Sequence, residues 1–163
     1  MRSYASVIFS PNCFAMERIK VGLPESFPFS TIIKIRITDL NYGGHVGNDS
    51  FLSLVHEARQ QFLFQFGYKE LEFAGVGLIM VDSAIEYRKE LNYGEEVKIS
   101  VCAKSFNRLG FDIYYLLEVS NGNDFVVAGK VKTGMVCYDY NIKKKVQVPA
   151  EALEKMQAYH HDY

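Results

Sequence analysis

The chain has 163 residues, of which 23% are charged, and a formal net charge of −1 at pH 7. This length suits one domain with a sizeable core, and the near-zero charge excludes a general electrostatic attraction to nucleic acid or to an anionic membrane. Its cysteines, Cys13, Cys102 and Cys137, form no CxxC pair. We therefore expect reduced thiols in a cytoplasmic protein rather than a disulfide framework or a zinc site.

Residues 1–29 form the least regular part of the chain. They hold Pro11, Pro24 and Pro28 and show no hydrophobic period. We predict an N-terminal arm, partly disordered, followed by a single domain over residues 30–163. The arm's short apolar patch is interrupted at Pro11, unlike a signal peptide. No apolar run in the chain reaches the roughly 18 residues of a membrane span.

A strand and a glycine turn open the domain. Residues 30–38 alternate, with Ile33, Ile35 and Ile37 on one side, which predicts a half-buried strand. Gly43 and Gly44 then allow backbone angles that side chains forbid and a close approach by another molecule.

One long helix follows the turn. Asn48 or Asp49 is suited to cap its start, and Gly67 is suited to end it. Its apolar residues leave no clear polar face: Phe51, Leu52, Leu54, Val55, Ala58, Phe62, Leu63, Phe64 and Phe66. A helix that is apolar nearly all round is usually enclosed, so we predict a central helix.

The second half of the chain predicts strands over residues 78–91, 96–106, 111–119 and 125–139, joined by short turns. Residues 120–124 carry the strongest hairpin signal, and Gly129 and Gly134 indicate a bulge or a close contact with the helix. Pro149 opens a short C-terminal helix. This order favours an α+β fold in which a curved antiparallel sheet wraps around one helix.

The turn and the helix carry a resemblance to a known family. The matching residues are Asn41, Gly44, His45, Val46, Gly47 and Asn48, followed without a gap by Glu57-Ala58-Arg59. They resemble the signature of the hotdog-fold thioesterases, the superfamily of 4-hydroxybenzoyl-CoA thioesterase and the acyl-carrier-protein thioesterases. Tyr87-Arg88 and Val148-Pro149 resemble later segments of that family, so the resemblance covers about residues 30–155. It implies the hotdog fold, with a curved antiparallel sheet around one long central helix.

The resemblance implies hydrolysis of an acyl thioester carried on coenzyme A or acyl carrier protein, without a cofactor. The family's usual catalytic aspartate falls on Asn41, whose amide is not a base near neutral pH. Three acids stand nearby, Asp39, Asp49 and Glu57, and we predict that Asp49 or Glu57 activates the attacking water. The alternative roles are an N-cap for Asp49, a buried pair with Arg59 or a partner-chain base for Glu57, and a turn residue for Asp39.

The remaining site residues are predicted around the turn. Backbone N–H groups from Gly44 through Val46 and Gly47 to Asn48 would polarise the thioester carbonyl. His45 and Asn41 would orient water. Phe51 and Val55 would line the acyl side, and Arg88 would meet a phosphate of the carrier. The spacing of potential ligands predicts no metal site.

A single hotdog unit leaves sheet edges open, so we predict a homodimer or a dimer of dimers (a homotetramer), with the acyl tunnel at the subunit junction. Two other functions remain open. One is a hydroxyacyl dehydratase, with His45 and Glu57 paired across a dimer. The other is a non-catalytic acyl-binding protein, which the amide of Asn41 suggests directly.

Overall fold

The computed structural model describes residues 16–122 and 124–161, the last two of these by their backbone only. Residues 1–15, most of the predicted arm, and Cys13 with them lie outside this description. The helices and strands in chain order are β1 (Phe29–Lys34), a short 3₁₀ helix (Ile37–Asp39), α1 (Asn48–Phe64), β2 (Gly77–Tyr87), β3 (Glu96–Lys104), β4 (Gly110–Asn121), β5 (Asp124–Asp139), β6 (Lys144–Lys145) and α2 (Ala150–His161).

The strands form one antiparallel sheet around α1. Their order is β1-β3-β4-β5-β2, with β6 added beside β5. Alternate residues of β3 and β4, such as Val97, Ile99 and Val101 of β3, are fully buried in one core with α1. This arrangement confirms the predicted α+β hotdog fold, because the alternating strands bury their apolar faces against the helix.

The first strand is shorter than predicted. It ends at Lys34, and the chain turns into the 3₁₀ helix. The cause is Asp39, whose carboxylate accepts a hydrogen bond from the Arg36 backbone N–H at 2.7 Å. Ile35 is buried, but Ile37 is 68% exposed. The alternation of apolar residues predicts a strand that continues through this turn. Alternation does not reveal the one side-chain hydrogen bond on which the turn depends.

The sheet covers the central helix α1 on part of its surface. Phe51, Val55 and Phe62 are buried, but Phe64 is 53% exposed, and His56 and Glu57 are exposed. The sheet of one chain curves around only part of the helix, so the remaining polar and apolar side chains face outward.

The described part of the N-terminal segment is held against the domain. The backbone N–H of Val21, itself buried, donates to the Glu86 carboxylate at 3.0 Å. This hydrogen bond is the main cause that lowers the pKa of Glu86. Farther along, the Tyr159 hydroxyl of α2 donates to the Pro28 carbonyl at 3.2 Å. Residues 16–28 therefore connect to both β2 and α2.

Both cysteines within the described residues, Cys102 in β3 and Cys137 in β5, are buried and form no disulfide. Burial raises the pKa of each thiol to about 11. Neither thiol therefore has the low pKa of a reactive cysteine. Among the described residues, no helix is both long and apolar enough to cross a bilayer.

Candidate active site

The glycine turn before α1 is closed by backbone hydrogen bonds. The Asn41 N–H donates to the His45 carbonyl at 2.9 Å, and the Gly44 N–H donates to the Asn41 carbonyl at 3.0 Å. Gly44 has a φ of 83°, which favours glycine. The Gly47 N–H donates to the Asp39 carbonyl at 3.2 Å. These bonds fix the path of the chain into α1.

The segment after β2 lies against this turn. The Val46 N–H donates to the Leu91 carbonyl at 2.9 Å, and His45 lies opposite Asn92 in antiparallel pairing. On its other side the segment is attached to β5, because the N–H groups of Arg88 and Lys89 both donate to the Ala128 carbonyl. The turn and the segment therefore form two fixed walls.

A cavity of about 440 Å³ lies between these walls. Its lining residues come from the turn, the start of α1 and the segment after β2: Asn41, His45, Val46, Asn48, Phe51, Tyr87, Arg88, Lys89, Glu90 and Leu91. Phe51 and Tyr87 meet edge to face with their ring centroids 5.1 Å apart. The structure thus brings six of the predicted site residues (Asn41, His45, Val46, Asn48, Phe51 and Arg88) to one cavity.

The available backbone donors lie slightly farther along the chain than the sequence predicts. The N–H groups of Gly43, Gly44, Val46 and Gly47 already donate within the chain. The first N–H groups of a helix have no intrahelical acceptor, and those of Asn48, Asp49 and Ser50 have none among the described residues. A carbonyl bound by backbone N–H groups would therefore meet the first turn of α1 rather than Gly44 or Gly47.

The side chain of Asn41 is held in place by the turn. Its Oδ1 accepts the Gly43 N–H at 2.8 Å. A Cβ at Gly43 would lie only 3.0 Å from this oxygen and 3.0 Å from Cε1 of His45. Asn41 and His45 therefore flank Gly43 closely, and a side chain at this position would require one of them to shift.

Asp39 is committed to the fold. Its carboxylate is bound by the backbone N–H and the guanidinium of Arg36, with Nη2 at 2.9 Å from Oδ1. The hydrogen bond from the Arg36 side chain is the main cause that lowers the pKa of Asp39, although burial opposes it. The structure therefore places Asp39 in the turn, and it is not among the residues that line the cavity.

Asp49 lies at the start of α1 but does not cap it. The N-cap residue is Gly47, which has no side chain to cap the helix. The Asp49 carboxylate folds back over Gly47, where a Cβ would clash with Oδ1. Asp49 lines a separate cavity of about 190 Å³ together with His56 and Met80.

Glu57 does not form the buried pair with Arg59 that was one alternative to a catalytic role. Glu57 is exposed and accepts a hydrogen bond from Nε2 of Gln61 at 2.8 Å. It lines a groove of about 590 Å³ between β1 and α1, on another side of the helix from the turn cavity. Residues that are two positions apart on a helix point in different directions, which separates the side chain of Glu57 from that of Arg59.

Arg59 instead belongs to a buried polar network that the sequence did not reveal. Its Nε donates to the Glu70 carboxylate at 2.5 Å, and Nη1 lies 3.5 Å from the Tyr115 hydroxyl. Tyr115 in turn shares a 3.1 Å hydrogen bond with Thr133, and His56 meets the second Glu70 oxygen at 3.0 Å. Burial raises the pKa of Tyr115, which keeps this hydroxyl protonated. The network joins α1 to the loop before β2.

Glu90 was not predicted as a site residue. It is the only carboxylate among the described residues that line the turn cavity. The available signal was an acid placed directly after Arg88-Lys89, at the end of the predicted second strand. That strand was predicted to continue to residue 91, but it ends at Tyr87, and the residues beyond it become one wall of the cavity.

The family follows from a comparison of the sequence with family models. The model of the thioesterase-like superfamily matches residues 35–156. The chain belongs to this superfamily. The match includes the turn, α1 and every strand from β2 to β6, so it covers both walls of the cavity in this thioesterase-like protein.

Individual relatives agree with this assignment. A 1,4-dihydroxy-2-naphthoyl-CoA hydrolase of Microcystis aeruginosa is 26% identical over 135 residues, which span 81% of this chain and 93% of the relative. Among solved structures, a Thermus thermophilus thioesterase complexed with coenzyme A and Zn has a TM-score of 0.73 at 22% identity, covering 85% of this chain and 98% of that one. A 4-hydroxybenzoyl-CoA thioesterase variant complexed with 4-hydroxybenzoyl-CoA has a TM-score of 0.72 at 17% identity, covering 78% and 97%.

Proposed function

We propose that this thioesterase-like protein hydrolyses acyl thioesters of coenzyme A. The observation that carries the proposal is the cavity between the glycine turn and residues 87–91, which meets the uncommitted N–H groups at the start of α1. Donors at a helix N-terminus favour the negative charge that develops on a thioester oxygen. The names of the relatives support a coenzyme A thioester over an acyl-carrier-protein substrate.

The proposed arrangement assigns each wall a role. The thioester oxygen accepts from the Asn48 backbone N–H, and Asn41 and His45 orient the attacking water. The acyl group packs against Phe51 and Tyr87, whose rings line the cavity. The same wall carries Arg88, which is half-exposed and ion-paired with Glu86, and which would meet the anionic carrier.

The proposal includes a homodimer. β2 is at the edge of the sheet and pairs only with β5 among the described strands. Met80 and Val81 near its centre are 43% and 47% exposed. Long open edges of this kind invite pairing with another chain, and a twofold axis at β2 would extend both sheets. Pairing of such dimers into tetramers is the further step that this arrangement allows.

The amide of Asn41 favours a second candidate, a protein that binds an acyl thioester without hydrolysing it. The two functions share the cavity and differ in turnover. Thiol release and ligand binding therefore have to be measured on the same preparation.

The test is thiol release from short, long and aromatic acyl-CoA substrates, with the matching acyl-carrier-protein substrates in parallel. We expect turnover on at least one acyl-CoA. Phe51→Leu should lower kcat/KM about tenfold, corresponding to about 1.4 kcal/mol. Phe64→Leu is the matched control, because Phe64 lies on the same helix but is exposed and does not line the cavity. Binding of an acyl-CoA without any thiol release would favour the second candidate.

A further inference from the structure

We propose that Glu90 supplies the carboxylate that activates water in this site, in place of the missing acid at position 41. The inference rests on the proposed thioester hydrolysis and assigns its general base. Glu90 lines the same cavity as Asn41, His45 and Asn48, but it comes from the opposite wall.

The other nearby acids face elsewhere within the protomer. Asp39 is held by Arg36. Asp49 lines the smaller cavity beside Met80, and Glu57 lines the groove beside β1. Glu90 is therefore the one carboxylate of the described residues that shares a cavity with the turn.

The pairing of the two walls directs Glu90 toward His45. His45 lies opposite Asn92, and the Val46 N–H donates to the Leu91 carbonyl. Val46 and Leu91 are both buried. Glu90 and Asn92 are exposed whereas Leu91 between them is buried; this alternation places Glu90 and Asn92 on the same side of the segment, on the face of His45. Diagonal neighbours in antiparallel pairs are about 7 Å apart, a gap that one water molecule can bridge.

Glu90 has no ion pair among the described residues, because the two neighbouring cations are bound elsewhere. Arg88 pairs with Glu86. Lys89 pairs with Glu95 at 2.9 Å and reaches only the backbone carbonyl of Glu90. The Glu90 side chain is exposed at the cavity, so its carboxylate is available to accept a proton from water.

The proposed step is a general-base hydrolysis. The Glu90 carboxylate takes a proton from water while the water oxygen forms a bond to the thioester carbonyl carbon, and the carbonyl oxygen becomes negative at the start of α1. The carbon–sulfur bond then breaks, the carbonyl re-forms as a carboxylic acid, and the thiolate takes the proton back from Glu90. The products are one acid and one thiol, and Glu90 returns to its carboxylate form. Asn41 and His45 position the water in this scheme.

The experiment measures kcat and KM for the best acyl-CoA substrate across pH. Glu90→Gln should lower kcat about 100-fold, a typical loss for a general base, with little change in KM, and should remove the acid limb of the pH–rate profile. Glu90→Asp should retain part of the rate. Glu154→Gln, an exposed acid on α2, is the control and should keep the wild-type rate.

A double variant tests whether an acid at position 41 can replace the carboxylate of Glu90. Introducing Asn41→Asp into the Glu90→Gln variant should recover at least tenfold in kcat, because it returns a carboxylate to the cavity from the turn. A Glu90→Gln variant that is folded by circular dichroism and keeps the wild-type kcat would overturn the inference while leaving thioester hydrolysis intact. Failure of wild type on every substrate would instead overturn the proposed hydrolysis itself.

Discussion

The N-terminal end and the middle of α1 differ in whether their polar groups have partners within the chain. In the middle, Arg59 is only 4% exposed and is bound by Glu70 and Tyr115. At the N-terminal end, Asn48 is exposed at a cavity, and its backbone N–H has no acceptor among the described residues. These two regions lie on one helix, within a few turns of each other.

The difference shows what distinguishes a structural polar group from one that is available to a ligand. A buried charge must be paired within the fold because its desolvation is costly. The middle of α1 meets that requirement with partners from the loop before β2 and from β4. The start of α1 keeps its donors unpaired but accessible, which is the condition for binding an oxygen of another molecule.

The largest expected effect comes from removing the buried charge of Arg59 in the middle of α1. Arg59→Met would remove one buried partner from each of Glu70 and Tyr115 and should lower the free energy of unfolding by about 3 kcal/mol. Urea denaturation measures this loss. Lys155→Met, which removes an exposed ion pair with Glu151 on α2, should cause no measurable change. Equal stability of the two variants would mean that the Arg59 network contributes nothing to folding.

A smaller effect is expected at the base of the turn. Asp39→Asn should lower the free energy of unfolding by about 2 kcal/mol at pH 7, because it removes charged hydrogen bonds from Arg36. The folded-state pKa of Asp39 lies below its ordinary value of 3.8, so the stabilisation is complete above that value. It should disappear as the pH falls from 3.8 through the folded-state pKa. A difference between wild type and variant that does not change with pH would contradict this assignment.

The smallest effect concerns Gly129 of β5, which lies beside Phe51. A Cβ at Gly129 would lie 2.5 Å from Cζ of buried Phe51, whereas one at Gly134 would meet the exposed carboxylate of Asp82. Gly129→Ala should displace Phe51 into the cavity, raise KM about fivefold (about 1 kcal/mol) and cost about 1 kcal/mol of stability. Gly134→Ala should leave KM unchanged, since Asp82 can move. Equal KM values in the two variants would place the acyl group away from Phe51.

Much of the fold was predictable because its signals are local. The alternation in β3, β4 and β5 and the glycines before α1 each act over a few residues. The early end of β1 was not predictable, because it depends on a hydrogen bond from Asp39 that competes with strand pairing. The exposure of Phe64 was missed for a different reason, since hydrophobic content does not reveal how far one sheet curves around a helix.

The candidate site divides in the same way. The turn residues Asn41, His45, Val46 and Asn48 were predicted, and the structure collects them at one cavity because they belong to one short segment of the chain. Glu90 was not predicted, because its position depends on the antiparallel pairing of His45 with Asn92. Glu70 was not predicted as the partner of Arg59, because it reaches Arg59 from a loop, whereas Glu57, which is nearer in sequence, accepts a hydrogen bond from Gln61.

The sequence by itself determined the elements, their order and the turn that leads into α1, since these follow from periodicity and from glycine's conformational freedom. Tertiary structure alone decided which polar groups have partners. Pairing with Glu70 and Tyr115 satisfied Arg59, and the packing of the two cavity walls left the start of α1 and the Glu90 carboxylate open to the same cavity. The physical reason is that burial and hydrogen bonding join residues that meet only after the sheet has wrapped around the helix.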